Sequence, residues 1–438
     1  MRGNYFLYFI MAFYWFLLVY YSYLTILGVY IRNKVKRSIK LESYPSVAVL
    51  IPCHNEEVVI GSTLSAMVKL SYPGKLDIYA LNDNSSDNTA KVIKSYSEIF
   101  THIHYIEVPP GYPKGKSRVL NYGLSITSSD YICVYDADNQ PEPFALTELV
   151  HSAETVEKAC GAVGIVRTIN AGKNMLTKMI AIEFKVFQLI MQLGRWQAFK
   201  AGSFGGTNML ISRQVLTENG GYDLFALAED AELTIRLTAA RYTIPVNYKS
   251  ITWEQEPESL KTYIRQRTRW LIGNLYLLEK SIVNFKYWKS KALVHTLHYL
   301  MTYFLFVIML ITNIVFTVMV LLRIVSIESW VPLVMLWYMA YVVYTVQIIV
   351  SLQSNKTLNL SNLALGFIMY FTYAQFFLLL LARSTFLYVF SRLRKTVIPW
   401  DKTERVDVSP KEDLDEHFDD HLDEHLDDHL KEHLEGAS

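Results

Sequence analysis

Residues 46–56 read Ser46-Val47-Ala48-Val49-Leu50-Ile51-Pro52-Cys53-His54-Asn55-Glu56, an apolar run that meets a proline and opens into polar side chains. A short apolar run bounded by a breaker reads as a buried strand. A helix is expected over 57–69, a second strand over 76–82 and a second helix over 87–98. Residues 103–108 and 130–135 supply two more strands. Strands alternating with helices imply a parallel sheet covered on both faces. Ligands on such sheets sit beyond the carboxyl ends of the strands, and there this chain places its polar clusters. His54-Asn55-Glu56-Glu57 follows the first strand, Asp83-Asn84-Ser85-Ser86-Asp87 the second, and Asp136-Ala137-Asp138 the fourth. The chain has no Gly-x-Gly-x-x-Gly and no P-loop run, which disfavours dinucleotide-binding and ATPase readings.

Around this block the chain is apolar. Its 438 residues are 51% hydrophobic, too rich for a wholly soluble protein. Residues 5–31 are long enough to span a bilayer. No small-residue cleavage site follows them, and Arg32-Asn33-Lys34-Val35-Lys36-Arg37 does, so they read as a retained anchor whose following side faces the cytosol. Apolar stretches at about 292–322, 330–352 and 362–390 bring the expected spans to four. The last contains Arg383 and is long enough to dip in and return. Residues 174–196 and 259–285 read as amphipathic helices along the membrane surface, or alternatively as core helices. The net charge of +1 hides an acidic tail: residues 411–438 carry −10, leaving +11 on the rest. That basic excess suits anionic headgroups and an anionic donor, not nucleic acid. In the tail, five His and a matching Phe/Leu series recur every four residues. The pattern permits paired-His metal binding or an amphipathic acidic helix, but reads first as a solvated tail without catalytic role. Cys53, Cys133 and Cys160 form no CxxC pair, so neither a zinc site nor a disulfide framework is indicated.

Five motifs carry chemistry. Asp136 and Asp138 flank a small residue after a buried strand, so both can face one site and hold a divalent ion, Mg2+ or Mn2+, against donor phosphates. Lys116 opens a helix after a Pro/Gly loop and can pair with diphosphate. Asp230, in Ala228-Glu229-Asp230, is placed to act as a general base; its neighbour Glu229 points elsewhere. Gln266, Arg267, Arg269 and Trp270 combine planar donors with an indole suited to stacking on a sugar ring. A basic helix that only touches lipid is the plainer reading of that run. Gly206-Thr207 is a small turn that lets an acceptor approach the backbone. Together these suggest an enzyme that takes sugar from a nucleotide donor and extends an acceptor at the bilayer.

From about residue 46 to 275 this motif set resembles the processive membrane glycosyltransferases of family 2: cellulose, chitin, hyaluronan and poly-N-acetylglucosamine synthases. Trp400-Asp401-Lys402-Thr403-Glu404-Arg405 is a weaker echo. The family's Asp-Asp-Gly-Ser-x-Asp becomes Asn82-Asp83-Asn84-Ser85-Ser86-Asp87, and its Thr-Glu-Asp becomes Ala228-Glu229-Asp230. The resemblance implies an α/β GT-A (Rossmann-like) catalytic domain plus an α-helical transmembrane region with amphipathic interface helices. It implies an inverting displacement with Asp230 as base, and His54, Glu56, Asp83 and Lys116 holding UDP. Gln266, Arg269 and Trp270 would hold the acceptor end and the diphosphate, and the spans would form a polymer channel. The implied layout is an anchor over 1–40, a cytosolic catalytic domain over 41–258, interface helices over 259–290, channel helices over 291–395 and a cytosolic tail over 396–438. The protein would be multi-pass in the cell membrane. Its partners would be a UDP-sugar (N-acetylglucosamine first), a polysaccharide acceptor, membrane lipids and an accessory membrane subunit. A non-processive glycolipid synthase, acting on ceramide or diacylglycerol, is the alternative, and product size separates the two. A non-catalytic nucleotide-binding scaffold would bind UDP without turnover.

Overall fold

The computed structural model describes residues 2–34, 41–325 and 331–394. Val35-Lys36-Arg37, the Trp400–Arg405 echo and the acidic tail lie outside the described residues. Eight strands form one sheet: β1 (Val47–Cys53), β2 (Leu76–Asn82), β3 (Ile103–Glu107), β4 (Tyr131–Val134), β5 (Gln140–Pro141), β6 (Gly161–Thr168), β7 (Met209–Ser212) and β8 (Val246–Glu254). Their order is β3-β2-β1-β4-β7-β6-β8-β5. The β3-β2-β1-β4 half is parallel, as the sequence suggests. The wholly parallel expectation fails in the other half, where β7 runs antiparallel to both β4 and β6, and β5 antiparallel to β8. The sheet is therefore mixed.

Period-two alternation loads both faces of the first strand. Val47, Val49, Ile51 and Cys53 enter one core with Leu64, Met67 and Leu149. Ala48 and Leu50 enter the other with Leu120, Val134 and Met209. The first expected helix begins late, at Ile60, because Asn55 adopts a left-handed backbone (φ 55°) and Asn55, Glu56 and Glu57 are spent on turn bonds.

Three described helices are long and apolar enough to cross a membrane: Tyr8–Asn33, Val334–Ser354 and Tyr373–Arg394. The expected span at 292–322 is interrupted. It runs as a helix over Ala292–Tyr299, a π-helical turn over Leu300–Leu305 and a helix over Phe306–Leu321. The expected stretch at 362–390 is two helices, Leu360–Met369 and Tyr373–Arg394, with a break between them.

The segment read as one surface helix over 174–196 is also broken. Asn174 caps Met175–Phe187 in a reciprocal box with Thr177, a π-helical turn follows over Gln188–Gly194, and Arg195–Phe199 is helical again. This segment packs against the first span through two glycines. A Cβ on Gly28 would strike the Leu189 carbonyl, and one on Gly194 would strike the Leu24 carbonyl. Each backbone thus fills the notch left by the other's missing side chain, the way small residues let helices approach in lipid. Gln188 then clamps the sheet: its Oε1 accepts from Val166 N at 2.8 Å and its Nε2 donates to Val166 O at 2.6 Å.

Gly194→Leu is expected to lower stability by about 1–3 kcal/mol through forced separation of these backbones. Gly172→Ala, whose Cβ meets nothing within 4 Å, should be neutral. Thermal unfolding in detergent reads both; equal midpoints would mean that the crossing contributes nothing.

Candidate active site

The parallel half of the sheet carries three polar turns to one edge, because β1, β2 and β4 run in the same direction. After β1, His54 Nδ1 donates to the Asp83 carbonyl at 2.6 Å, tying the first turn to the second. Asn55 Oδ1 accepts from Ser86 N at 2.7 Å, and Glu56 N donates to Thr89 Oγ1 at 2.7 Å. After β2, the Asp83 carboxylate pairs with the guanidinium of Arg118, which also donates to Pro109 O at 2.6 Å. After β4, the Asp136–Asp138 turn is fixed from below. Thr63 Oγ1 donates to Ala137 O at 2.7 Å, and Asp136 N donates to Thr207 Oγ1 at 3.1 Å.

Lys116 stands at the centre. Its helix, Lys116–Ile126, starts after Gly115, whose φ of 140° admits glycine readily. The ammonium lies 2.6 Å from Asp136 Oδ1, 3.3 Å from Glu229 Oε1 and 2.6 Å from the carbonyl of Gly206. Burial opposes its charge, but Asp136, Glu229 and Asp230 together outweigh burial and raise its pKa. One cation therefore joins the β4 turn, the Gly205–Asn208 turn and the helix Glu229–Ala239.

Asp230 sits in the first turn of that helix. An ideal Cβ on Gly206 (φ 82°) would lie 3.6 Å from Asp230 Oδ2 and 3.7 Å from Lys116 Nζ, so the bare glycine forms the wall between them. Burial, and then the like charge of Glu229, raise the Asp230 carboxyl to about 7; Lys116 and the helix amides offset this in part. A carboxyl poised near neutrality can take a proton from a hydroxyl. The turn is held to the helix by Phe204 N donating to Thr234 Oγ1 at 3.0 Å, and Thr234 Oγ1 donating to Asp230 O at 2.8 Å. Thr207 reaches the opposite way, donating to Asn139 Oδ1 at 2.9 Å.

Gln266, Arg269, Trp270 and Gly273 share a face of the helix Leu260–Val283, by their three- and four-residue spacing. At Gly273 this helix presses on the loop before Glu229, which joins the helix Arg213–Glu218 to the helix Glu229–Ala239: a Cβ there would lie 2.8 Å from Ala228 Cβ. Gln266 is buried, with its Oε1 lacking a hydrogen-bond partner. Arg267 lies off this face. Its guanidinium pairs with Glu183 at 2.7 Å and covers the rings of Phe184, Tyr263 and Trp270, the last at 4.3 Å. Phe184 meets Trp270 edge to face at 6.3 Å. Arg118, Glu183 and Glu229 were not singled out as site residues from sequence. Arg118 was visible within the Lys116 motif, at i+2 from it, but its partner Asp83 is 35 residues away.

No group of three or more His, Cys, Asp or Glu side chains poised for a metal occurs among the described residues. The Asp136–Asp138 pair nevertheless fits a hard divalent ion in kind. Two carboxylates two residues apart suit an ion that takes its remaining oxygens from phosphates and water.

Residues 45–273 match the sequence profile of the family described as glycosyltransferase like family 2. A Bacillus subtilis (strain 168) protein named probable glycosyltransferase YdaM is 41% identical over 413 residues, 92% of this chain and 98% of that one. A poly-beta-1,6-N-acetyl-D-glucosamine synthase of Staphylococcus aureus (strain COL) is 28% identical over 263 residues, 60% of this chain and 62% of that one. Among solved structures, mannosyltransferase PcManGT from Pyrobaculum calidifontis, in complex with GDP-Man and Mn2+, superposes with a TM-score of 0.57 at 16% identity. The match covers 83% of this chain and 99% of that one, and it is a likeness of fold.

Gly273→Val should push Ala228, and with it Asp230, off its position and reduce turnover on the order of 100-fold. Nucleotide affinity measured by calorimetry should stay close to that of the parent. Unchanged turnover would mean that the helix contact does not set the geometry of Asp230.

Proposed function

The chain belongs to glycosyltransferase like family 2, and from that premise we propose that it is an inverting, processive enzyme. It transfers a sugar, N-acetylglucosamine first, from a UDP donor to a growing polysaccharide beside the membrane. The observation that carries this reading is the meeting of Lys116, Asp136, Glu229 and Asp230 around the Gly206 turn. It supports the reading because a carboxyl able to act as a base and an ammonium able to meet a diphosphate lie beside one another. Its membrane-side support is the helix bearing Gln266 and Trp270, which packs against the span Tyr373–Arg394 through Tyr263, Leu271, Tyr373, Leu380 and Leu381.

In this mechanism Asp230 takes the proton of the acceptor hydroxyl as its oxygen attacks the anomeric carbon from the face opposite the diphosphate. The new glycosidic bond forms while the bond from the anomeric carbon to the phosphate oxygen breaks. UDP departs with that electron pair, and the configuration inverts. Lys116 turns from Asp136 and Gly206 O to the diphosphate. Asp136 and Asp138 hold Mg2+ or Mn2+, which supplies charge neutralisation for the departing group when bound. His54, Glu56 and Asp83 bound the nucleoside end; Arg118 keeps the Asp83 carboxylate facing it. Gly206 and Thr207 form the floor under the acceptor. Gln266, Arg269 and Trp270 hold the acceptor's terminal sugar, and Arg267 positions the indole by stacking on it. The protein works as a multi-pass membrane enzyme with its catalytic domain in the cytosol.

The test is UDP release by purified protein with a panel of UDP-sugars, followed by product sizing. Long polymer from one donor supports the reading; a single-sugar lipid would replace it with the glycolipid synthase, and UDP binding without release with the scaffold. Asp230→Asn should abolish transfer and leave UDP binding nearly intact; a fully active variant removes the base assignment. In the parent, the base works only when deprotonated, so the rate should climb through pH 7 and level off above it. Glu229→Gln removes the second contribution that raises Asp230, so its acid limb should move to lower pH. Trp270→Ala should shorten the polymer while donor hydrolysis persists; chains of parental length would count against the stacking role.

A further inference from the structure

Two consecutive side chains of the helix Met175–Phe187 meet the helix Leu260–Val283. Phe184 touches the indole of Trp270 edge to face, with centroids 6.3 Å apart, and Glu183 pairs with Arg267 at 2.7 Å. The Arg267 guanidinium lies over the rings of Trp270, Tyr263 and Phe184, at 4.3, 5.3 and 5.4 Å from their centroids. Its side chain is only 6% exposed, and Glu183 is its one ion-pair partner among the described residues. Its Nε makes no hydrogen bond among them. Attraction between a cation and a ring face holds the guanidinium close but orients it weakly. The directional constraint is the charge-assisted bond to Glu183.

That carboxylate has a second tie. Tyr373 donates to the same oxygen as Arg267, Oε2, at 2.5 Å. Tyr373 opens the apolar helix Tyr373–Arg394, and its ring lies 5.7 Å from that of Tyr263. One oxygen thus joins the helix Met175–Phe187, the helix that carries Trp270 and the head of a candidate span. A largely buried ion pair contributes little to stability compared with apolar side chains of similar volume. What it adds here is direction: it fixes how the guanidinium plate meets the indole.

We propose that, on the sugar-transfer reading in which Trp270 stacks on the acceptor, Glu183 is a positioning residue for that acceptor. Its carboxylate holds Arg267 against the indole and so sets the plane on which the sugar rests. Because Tyr373 shares the oxygen, a shift of the helix Tyr373–Arg394 is passed to the same plane.

The experiment uses the full chain purified in detergent with 15N-labelled tryptophan, and Trp270→Phe assigns the Trp270 indole resonance. Glu183→Gln should shift that resonance. Glu98→Gln, which changes an exposed glutamate, should not. With UDP-N-acetylglucosamine and a β-1,6-linked N-acetylglucosamine pentasaccharide, Glu183→Gln should raise the KM for the pentasaccharide about fivefold. The KM for the donor should keep its parental value. Arg267→Gln should act likewise, and the double variant should be no worse than either single one, because both remove the same contact. An unmoved indole resonance overturns the role. So does an unchanged pentasaccharide KM in a chain whose parent transfers sugar, or single effects that multiply in the double variant. A parent that transfers no sugar, with an indole that still answers to Glu183, overturns the sugar-transfer reading and the acceptor role with it, while the coupling of Glu183 to the indole stands. Should Glu183→Gln fail to fold, Tyr373→Phe decides, since it removes the second donor and leaves the ion pair. A moved resonance with a raised pentasaccharide KM supports the role, and parental values of both overturn it.

Discussion

One ammonium group holds the catalytic cleft together. Lys116 is the common partner of an aspartate after β4, a glutamate at a helix start and a backbone carbonyl in the turn between them. These three segments are separated by about a hundred residues or less of chain, and each carries a group that repels the others. Asp136, Glu229 and Asp230 could not share so small a space without a central cation. Burial first, and then the like charge of Glu229, explain why Asp230 titrates high; Lys116 compensates only in part. Structural cohesion and catalytic readiness thus arise from one electrostatic balance. In the proposed mechanism a diphosphate entering the cleft would compete for that lysine, so donor binding and the reshaping of the acidic cluster would be one event.

A single long helix links the candidate site to an apolar helix long enough to cross a membrane. Leu260–Val283 touches the link before Glu229 at Gly273, where only a hydrogen is tolerated. On its other side it joins the span Tyr373–Arg394, with Arg383 Nη1 donating to Thr268 Oγ1 at 2.6 Å. Further along, Lys280 pairs with Asp223 and with buried Glu232, both at 2.8 Å, fastening the helix to the one that carries Asp230. Arg267 and Glu183 fill the remaining side with rings and a salt bridge. The indole of Trp270 is therefore set by packing on two sides rather than free to search.

The parallel half of the sheet was legible because its strands are apolar runs ended by polar turns, a pattern that burial on both faces imposes locally. The antiparallel half was not. β7 is four residues long and β5 only two, and β8 alternates weakly through Tyr248 and Lys249. Such strands exist through their neighbours, and no local pattern announces them. The carboxylates and Lys116 could be named as chemistry from their turns and helix starts. Arg118 and Glu183 could not be assigned, because their meaning lies in partners 35 and 84 positions away. The π-helical turns at Gln188–Gly194 and Leu300–Leu305 were equally hidden: no proline marks them, and they divide runs whose hydropathy is continuous.

The paired glycines of the first span give that segment a meaning beyond tethering. Gly28 and Gly194 lock it against a turn that grips β6 through Gln188. Tilt imposed on that helix by a thinner or thicker bilayer would therefore reach the rim of the sheet. A generic hydrophobic leader grafted in its place would keep the protein in the membrane yet leave that rim without its mechanical reference.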